Sequence, residues 1–213
     1  MKYNVDELIK RYPVLEKNKN DINKAFELLR DSFKNGHKLL IAGNGGSNSD
    51  ADHIVGELMK GFVKCRKVNN PLLDKINEAS KENGVKEFAD KLQLGLPAIN
   101  LGNHQSLNTA FMNDVPNGGE LIFAQQLLNF AEEGDVFLAI STSGNSLNVL
   151  DAAIVAKAKG VKIIALTGKS GGKLKGLADV SIVVDEQETF KIQELHLPIY
   201  HCLCLMLEEE FFE

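Results

Sequence analysis

Residues 38–62, KLLIAGNGGSNSDADHIVGELMKGF, decide the fold. The apolar run 39–42 is too short for a helix and predicts a buried strand. This run ends at the glycine-rich loop 43–47, after which apolar residues return at helical spacing. Loop glycines let backbone N–H groups converge, and the helix dipole favours negative charge at the same place. The stretch therefore predicts an anion site between a strand and a helix.

Two side chains capable of acid–base or ligand chemistry follow on the predicted helix. His53 and Glu57 are four residues apart, so they share one helical face and can reach a common atom. The first hypothesis is therefore binding of a phosphorylated small molecule beside a His/Glu pair.

The glycine loop does not match two familiar nucleotide-binding motifs. A Walker loop needs Lys-Ser or Lys-Thr after its last glycine, and Ser47-Asn48 stand there instead. A dinucleotide fingerprint, Gly-x-Gly-x-x-Gly, that starts at Gly43 needs glycine at position 48, where this chain has Asn48. A loop that offers hydroxyls and amides suits a compact phosphate monoester better than a magnesium-bound triphosphate. From this loop alone, a plain structural turn is the alternative.

Composition limits the classes of partner. The chain has 213 residues, of which 44% are hydrophobic, enough for one full-sized core. Its formal charge of −5 does not favour a nucleic-acid backbone or an anionic membrane. No apolar run approaches the roughly 20 residues that span a bilayer, and the charged segment 1–17 lacks the apolar core of a signal peptide. We therefore expect a cytoplasmic protein without nucleic-acid or membrane partners.

The cysteines fit a reducing compartment. Their number is three, and an odd count argues against a disulfide framework. Cys202 and Cys204 have one intervening residue, fewer than the pairs that bind zinc usually have. Both are therefore expected as core residues on a helix.

Strands and helices alternate along the chain. After helices within 1–36, the strongest of which covers 21–33 with Asp21 as its N-cap, the pattern predicts five strands, 39–42, 96–101, 136–140, 161–166 and 181–184. Helices are predicted over 120–132 and 147–159. This alternation predicts one α/β domain with a doubly wound, flavodoxin-like parallel sheet.

Residues 63–96 differ in composition from the rest. Charges are dense and apolar residues sparse, so we expect one or two exposed helices, interrupted at Asn83-Gly84, that lie over the core. A lid or a subunit contact is possible there, and a solvated surface excursion is favoured because charge runs are usually solvated.

A second polar loop follows the third strand. Residues 141–146, STSGNS, carry four hydroxyl side chains before a helix. On neighbouring parallel strands, the two loops would place their donors together at the carboxyl edge of the sheet, where ligands of α/β folds bind. The repeat strengthens the prediction of a phosphate site.

The last predicted helix, 188–212, carries Gln193 and His201. These two residues are eight apart, so their directions differ by about 80° on a straight helix. Pro198 lies between them and should kink the helix or begin a new one. Considered alone, His201 is more typical of a satisfied core histidine than of a ligand.

Several motifs together resemble the SIS (sugar isomerase) domain family, and within it the phosphoheptose isomerase branch. The matching segments are GNGGSNSDADHIVGEL at 43–58, STSGNSLNVLDAA at 141–153, IIALTGKSGGKL at 163–174 and KIQELHLPIYH at 191–201. The resemblance implies a single SIS domain over 1–213, with 70–94 as a helical insertion. It also implies conversion of sedoheptulose 7-phosphate to D-glycero-D-manno-heptose 7-phosphate by homotetramers with sites at subunit interfaces.

The resemblance also implies the residues of the site. A four-ligand metal site, usually zinc and one ion per subunit, maps onto His53, Glu57, Gln193 and His201. The phosphate and pocket positions map onto Asn44, Gly45, Gly46, Ser47, Asn113, Asp114, Ser141, Thr142, Ser143 and Ser146, with Gln193 also near substrate.

The implied chemistry is ketose–aldose isomerisation through a cis-enediol(ate). Glu57 is the candidate base and His201 the candidate acid, and a divalent metal would polarise the carbonyl. A carboxylate that ligates zinc is a weaker base, so Glu57 has to leave the metal or the metal chiefly organises the site. The family usually has an aspartate after the second strand, whereas this chain has 102–106, GNHQS, which would put His104 near the substrate hydroxyls.

Two other hypotheses stay open at the level of sequence. One is a non-catalytic SIS-fold protein, either a sugar-phosphate sensor or an assembly protein of the DnaA-binding type, which the ending HCLCLMLEEEFF resembles equally well. The other is an isomerase of a different phosphosugar, which His104 suggests.

Overall fold

The computed structural model describes residues 2–212, and a five-stranded parallel sheet lies at its centre. The strands are β1 Leu39–Ala42, β2 Ala98–Asn100, β3 Val136–Ser141, β4 Lys162–Thr167 and β5 Val180–Val183. Their order in the sheet is β2-β1-β3-β4-β5, and every pair is parallel. The prediction of a doubly wound, flavodoxin-like α/β domain is therefore confirmed.

The helices cover both faces of the sheet. They are α1 Val5–Arg11, α2 Lys19–Lys34, α3 Gly46–Met59, α4 Asn70–Glu82, α5 Gln105–Asp114, α6 Gly118–Phe130, α7 Leu147–Ala158 and α8 Thr189–Phe211. Alternate residues of β1 enter different cores: Leu39 and Ile41 pack with α1, α2, α3 and α8, whereas Leu40 and Ala42 pack with α6 and α7. Burial on both faces explains why the strands are continuous apolar runs.

Two details of the helices differ from the sequence prediction. The prediction of Asp21 as an N-cap is wrong, because the 3₁₀ helix Pro13–Asn18 continues directly into α2, which begins at Lys19. Asp21 lies instead in the first turn of α2, where its charge still favours the helix dipole. The alternative that a new helix begins at Pro198 is also wrong, because α8 is one helix through this buried proline.

The segment 70–94 projects from the core and is closed at its base. In α4 only Ser80 is buried, and the helix ends before Gly84, whose φ is +65°. An antiparallel bridge pairs Lys67 with Gln93, and the Leu94 N–H donates to the Arg66 carbonyl at 2.7 Å. The expected exposed helix and its break at 83–84 are both present, but the prediction that the helix lies over the core is wrong, because α4 packs chiefly against the 3₁₀ turn Ala89–Lys91.

Within residues 2–212, no helix combines the length and the apolar character that a membrane span requires. The longest helix, α8, is instead a core element. Cys202 and Cys204 are buried in it as predicted, and burial raises the pKa of Cys202 to about 12.

His196, on α8, makes stability dependent on acid. Its side chain is completely buried, and its Nε2 lies 3.2 Å from the Thr167 carbonyl oxygen. Burial lowers the pKa of His196 to about 4, although the Thr167 carbonyl opposes the shift. In the unfolded chain a histidine takes up its proton near pH 6.5, so between about pH 6.5 and pH 4 the unfolded state binds more protons and is favoured.

We therefore expect wild type to lose about 3 kcal/mol of unfolding free energy relative to His196→Gln as pH falls from 6.5 to 4. Glutamine can still donate to the Thr167 carbonyl but does not titrate. Urea unfolding of both proteins across this range measures the difference. The titration of the carboxylates affects both unfolding free energies equally and cancels in the comparison. A difference that does not change with pH would contradict the prediction.

Candidate active site

Two polar loops meet at the carboxyl edge of the sheet. β1 and β3 are paired neighbours, and the loops after them carry residues 43–46 and 142–146. The amides of Asn44 and Asn148 each donate to the other at 2.9 Å, which fastens the first loop to the start of α7. The predicted juxtaposition of the two loops is confirmed.

The hydroxyl groups of this edge lie close to one another. Ser47 is almost fully buried in the first turn of α3. Ser141 Oγ and Ser146 Oγ are 3.0 Å apart, and Ser143 Oγ accepts the Asn145 N–H at 3.2 Å. An incoming anion can take these donors in place of their contacts with one another, and the N-termini of α3 and α7 add favourable dipoles.

Glycine is required at the bend of the second loop. Gly144 has a φ of +66°, and a Cβ there would lie 1.9 Å from the Gly171 carbonyl oxygen. The Thr142 carbonyl accepts the Gly168 N–H, so the loop after β4 also contacts and supports the loop after β3. The close packing holds the hydroxyl side chains in place before any ligand arrives.

A second group of side chains lies where α3 packs against α8. His53 Nε2 is 3.2 Å from Glu57 Oε1 and 3.5 Å from His201 Nε2. His53 and His201 are 148 residues apart in sequence, so only the fold brings them together. Three of the four ligands implied by the sequence resemblance therefore lie in one place.

The donor set and its spacing suit a zinc ion, although the site is not complete. Two imidazoles and one carboxylate are a usual zinc ligand set, and donors in a tetrahedral site lie about 3.3 Å apart. The two separations at His53 are close to that value. Over the described range 2–212, however, no cluster of three or more His, Cys, Asp or Glu side chains has the arrangement of a metal centre.

Gln193, the fourth implied ligand, lies elsewhere. A Cβ on Gly46 would be 2.5 Å from Gln193 Nε2, so this side chain rests against the glycine-rich loop after β1. Along α8 it precedes His201 by eight residues, about 12 Å of helix. The structure thus places Gln193 with the anion loop and apart from the His/Glu group.

Burial controls the charge of the candidate acid. Burial lowers the pKa of His201, the nearby His53 lowers it further, and Glu57 opposes both effects. His201 is therefore neutral near pH 7, in the form that can ligate a metal or donate one N–H. Glu57 Oε2 lies 3.4 Å from Lys60 Nζ, a cation at the edge of the group.

The sequence as a whole matches a known family. The family model described as "SIS domain" matches residues 4–94 and 88–168. This chain belongs to the SIS domain family.

Relatives of this SIS domain carry one name. It is 40% identical to the phosphoheptose isomerase of Helicobacter hepaticus over 89% of this chain and 82% of the relative. It is 41% identical to that of Nitratiruptor sp., over 85% and 81%. The solved phosphoheptose isomerase from Neisseria gonorrhoeae superposes with a TM-score of 0.73 at 30% identity, covering 96% of this chain and 95% of the other.

Three residues of the SIS-domain site escaped the sequence analysis. Tyr200 contacts both His53 and Asp50, and Asn148 pairs with Asn44. Burial raises the pKa of Asp50, against the opposing effects of Tyr200 and His53. Sequence position could have pointed to two of these residues. Asp50 lies one helical turn before His53, and Tyr200 adjoins His201.

The remaining candidates from the sequence lie outside the His/Glu group and the two polar loops. Asn113 and Asp114 end α5, are exposed, and share a hydrogen bond of 2.8 Å. Within residues 2–212, no side-chain hydrogen bond or ion pair joins them to the loops after β1 and β3. The His104 ring faces α6, where Nδ1 contacts Gln126 Oε1 and the ring lies 5.3 Å from that of Phe130. The proximity of His104 to the substrate hydroxyls stays a prediction.

A cavity of about 490 Å³ opens on the other side of His201. It lies between α1 and α8, and its walls include Tyr3, Leu8, Tyr12 and Leu197. This groove is mainly apolar, and none of the described residues in its walls belongs to the phosphate loops.

Proposed function

We infer that this chain is an aldose–ketose isomerase of a phosphorylated sugar, and that the substrate is sedoheptulose 7-phosphate. The observation that carries the proposal is that one helix, α3, starts at the hydroxyl loops and carries His53 and Glu57 further along. The names of the relatives support both the reaction and the heptose.

The phosphate group belongs at the two loops. Backbone N–H groups at the start of α3, together with the hydroxyls of Ser47, Ser141 and Ser146, provide donors to its oxygens. Thr142 and Ser143 extend the same loop. Binding of the phosphate fixes one end of the sugar, so the reacting carbons are held in place before any proton moves.

Two proton carriers account for the reaction. The Glu57 carboxylate takes a proton from C1 of the ketose, and the C2 oxygen gains one from His201, which gives the cis-enediol. Glu57 then returns its proton to C2 while the C1 hydroxyl gives its proton back to His201. Atoms and charges balance, and both residues end as they began.

The metal ligands we propose are His53, Glu57 and His201, with Gln193 as a fourth donor on substrate binding or from another subunit. A bound zinc ion would polarise the substrate carbonyl and stabilise the enediolate oxygens. The tetrahedral-edge separations at His53 support this proposal.

Assembly and location complete the proposal. We place the protein in the cytoplasm, as a homotetramer whose sites lie at subunit interfaces. The apolar groove beside His201 supports this assembly, because covering it with a second copy would bring that copy's residues next to the candidate acid.

The test is isomerisation in D₂O. We expect purified protein with zinc to convert sedoheptulose 7-phosphate to the heptose, with deuterium entering at C2 because the proton on Glu57 exchanges with solvent. Proton NMR of the product measures both. Binding of the sugar phosphate without turnover would favour the non-catalytic hypothesis, and turnover without deuterium at C2 would contradict a Glu57 proton that exchanges with solvent.

A further inference from the structure

Tyr200 connects His53 to a partly buried carboxylate. The Tyr200 side chain is nearly fully buried, and its ring meets the His53 ring edge-to-face with centroids 5.5 Å apart. Its hydroxyl oxygen is 3.0 Å from His53 Nδ1 and 3.2 Å from Asp50 Oδ1. A continuous path of hydrogen bonds therefore runs from Asp50 on α3 through Tyr200 on α8 to His53.

With Asp50 ionised and accepting from Tyr200, the donors in this path run in one order. An ionised carboxylate only accepts, so the single hydroxyl proton of Tyr200 goes to Asp50. The hydroxyl oxygen can then accept from His53, which must carry its proton on Nδ1. This leaves the lone pair on His53 Nε2, the atom that faces Glu57 and His201.

We propose that Tyr200, oriented by Asp50, is a positioning residue that holds His53 as the Nδ1–H tautomer with its Nε2 lone pair aimed between Glu57 and His201. The inference rests on the proposed metal site, for which it supplies the outer partner that metal-binding histidines usually have. With Nδ1 protonated, Nε2 and Glu57 Oε1 are two acceptors 3.2 Å apart, an arrangement that a cation between them would stabilise.

Asp50 provides an independent observation. Its Oδ2 is buried and has no hydrogen-bond partner among residues 2–212. A buried acceptor without a partner disfavours the folded state, so this carboxylate is unfavourable as a purely structural group. The hydrogen bond that Asp50 accepts from Tyr200 gives this carboxylate a role.

The test uses Tyr200→Phe, which keeps the ring and its packing and removes only the hydroxyl. We expect zinc affinity, measured by competition with a chromophoric chelator, to fall about 10–100-fold. Thermal unfolding of the metal-free variant should still be cooperative, at a modestly lower Tm, because Asp50 Oδ1 loses the Tyr200 donor. Thr109→Val is the control, because it removes an exposed hydroxyl on α5 whose hydrogen bonds go to the carbonyls of its own helix.

Nitrogen NMR of metal-free protein at pH 8 provides a second readout. We expect His53 Nδ1 to carry a proton in wild type and to lose it in Tyr200→Phe, where Nε2–H can donate to Glu57 instead. Equal zinc affinity and an unchanged His53 spectrum in Tyr200→Phe would overturn the inference. Wild type that binds no zinc would count against the proposed metal site, and the NMR result would still decide the role of Tyr200.

A double-mutant cycle tests whether Asp50 acts through the hydroxyl. Asp50→Ala should weaken zinc binding in wild type and have no further effect in the Tyr200→Phe background. Independent, additive losses would show that Asp50 does not work through Tyr200.

Discussion

Turnover of sedoheptulose 7-phosphate is expected to fall by about 10²–10⁴-fold when Glu57 is replaced by glutamine, the usual contribution of a positioned general base. Glutamine has the same shape and keeps an oxygen toward His53 Nε2, which lies 3.2 Å from Glu57 Oε1. It cannot take a proton from carbon. The variant should therefore keep its fold and its phosphate site while it loses turnover.

Three measurements separate these effects. Steady-state kinetics give kcat, inorganic phosphate titration gives occupancy of the loops, and metal analysis gives zinc per chain. Glu78→Gln serves as the control, because Glu78 lies on the exposed helix α4 away from the site. A Glu57→Gln protein that retains full kcat would remove Glu57 as the base, whatever its metal content.

Removal of Arg66 should cause the largest loss of stability, because Arg66 and Glu208 form a completely buried ion pair. Arg66 Nε lies 2.9 Å from Glu208 Oε1, and neither side chain is appreciably exposed. The remaining Arg66 donors bond the carbonyl oxygens of Leu58 and Glu57 at 2.6 and 3.0 Å. We expect Arg66→Met to lower the free energy of unfolding by about 3–5 kcal/mol, since it leaves a buried charge unpaired.

The partner residue explains the size of the effect. Burial alone would raise the pKa of Glu208, but the N–H groups of Val63 and Phe62, together with Arg66, hold it below its usual value. The double variant Arg66→Met/Glu208→Leu should recover part of the loss, because no unpaired charge remains. Urea unfolding at pH 7 measures all three proteins. Glu7→Gln, which breaks an exposed pair with Lys10, should change little, and equal stability of Arg66→Met and wild type would contradict the prediction.

Much of the fold follows from local patterns in the sequence. The strand 39–42 was predicted at its observed limits because four consecutive apolar residues end at a glycine turn. The other strands agree to within about two residues, since each is bounded by polar or glycine-containing loops. Asp21 was misplaced because the helix-capping signal could not reveal that a 3₁₀ helix already precedes α2.

The site was harder to predict where its contacts are distant in the chain. His53 and Glu57 share a helical face, so their spacing alone joins them. Tyr200 and Asp50 are 150 residues apart, and a tyrosine in an apolar helix is indistinguishable from a core residue until the fold is known. Gln193 matched the family pattern, yet its place on α8 depends on how that helix packs beside Gly46.

The closed base of the segment 70–94 has an evolutionary consequence. Lys67 and Gln93 are bridged, and Leu94 bonds Arg66, so both ends of the segment leave the core at one point. Insertions and deletions between those ends can alter its length without shifting β2 or the end of α3. The closed base therefore makes the length of this segment separable from the geometry of the catalytic residues.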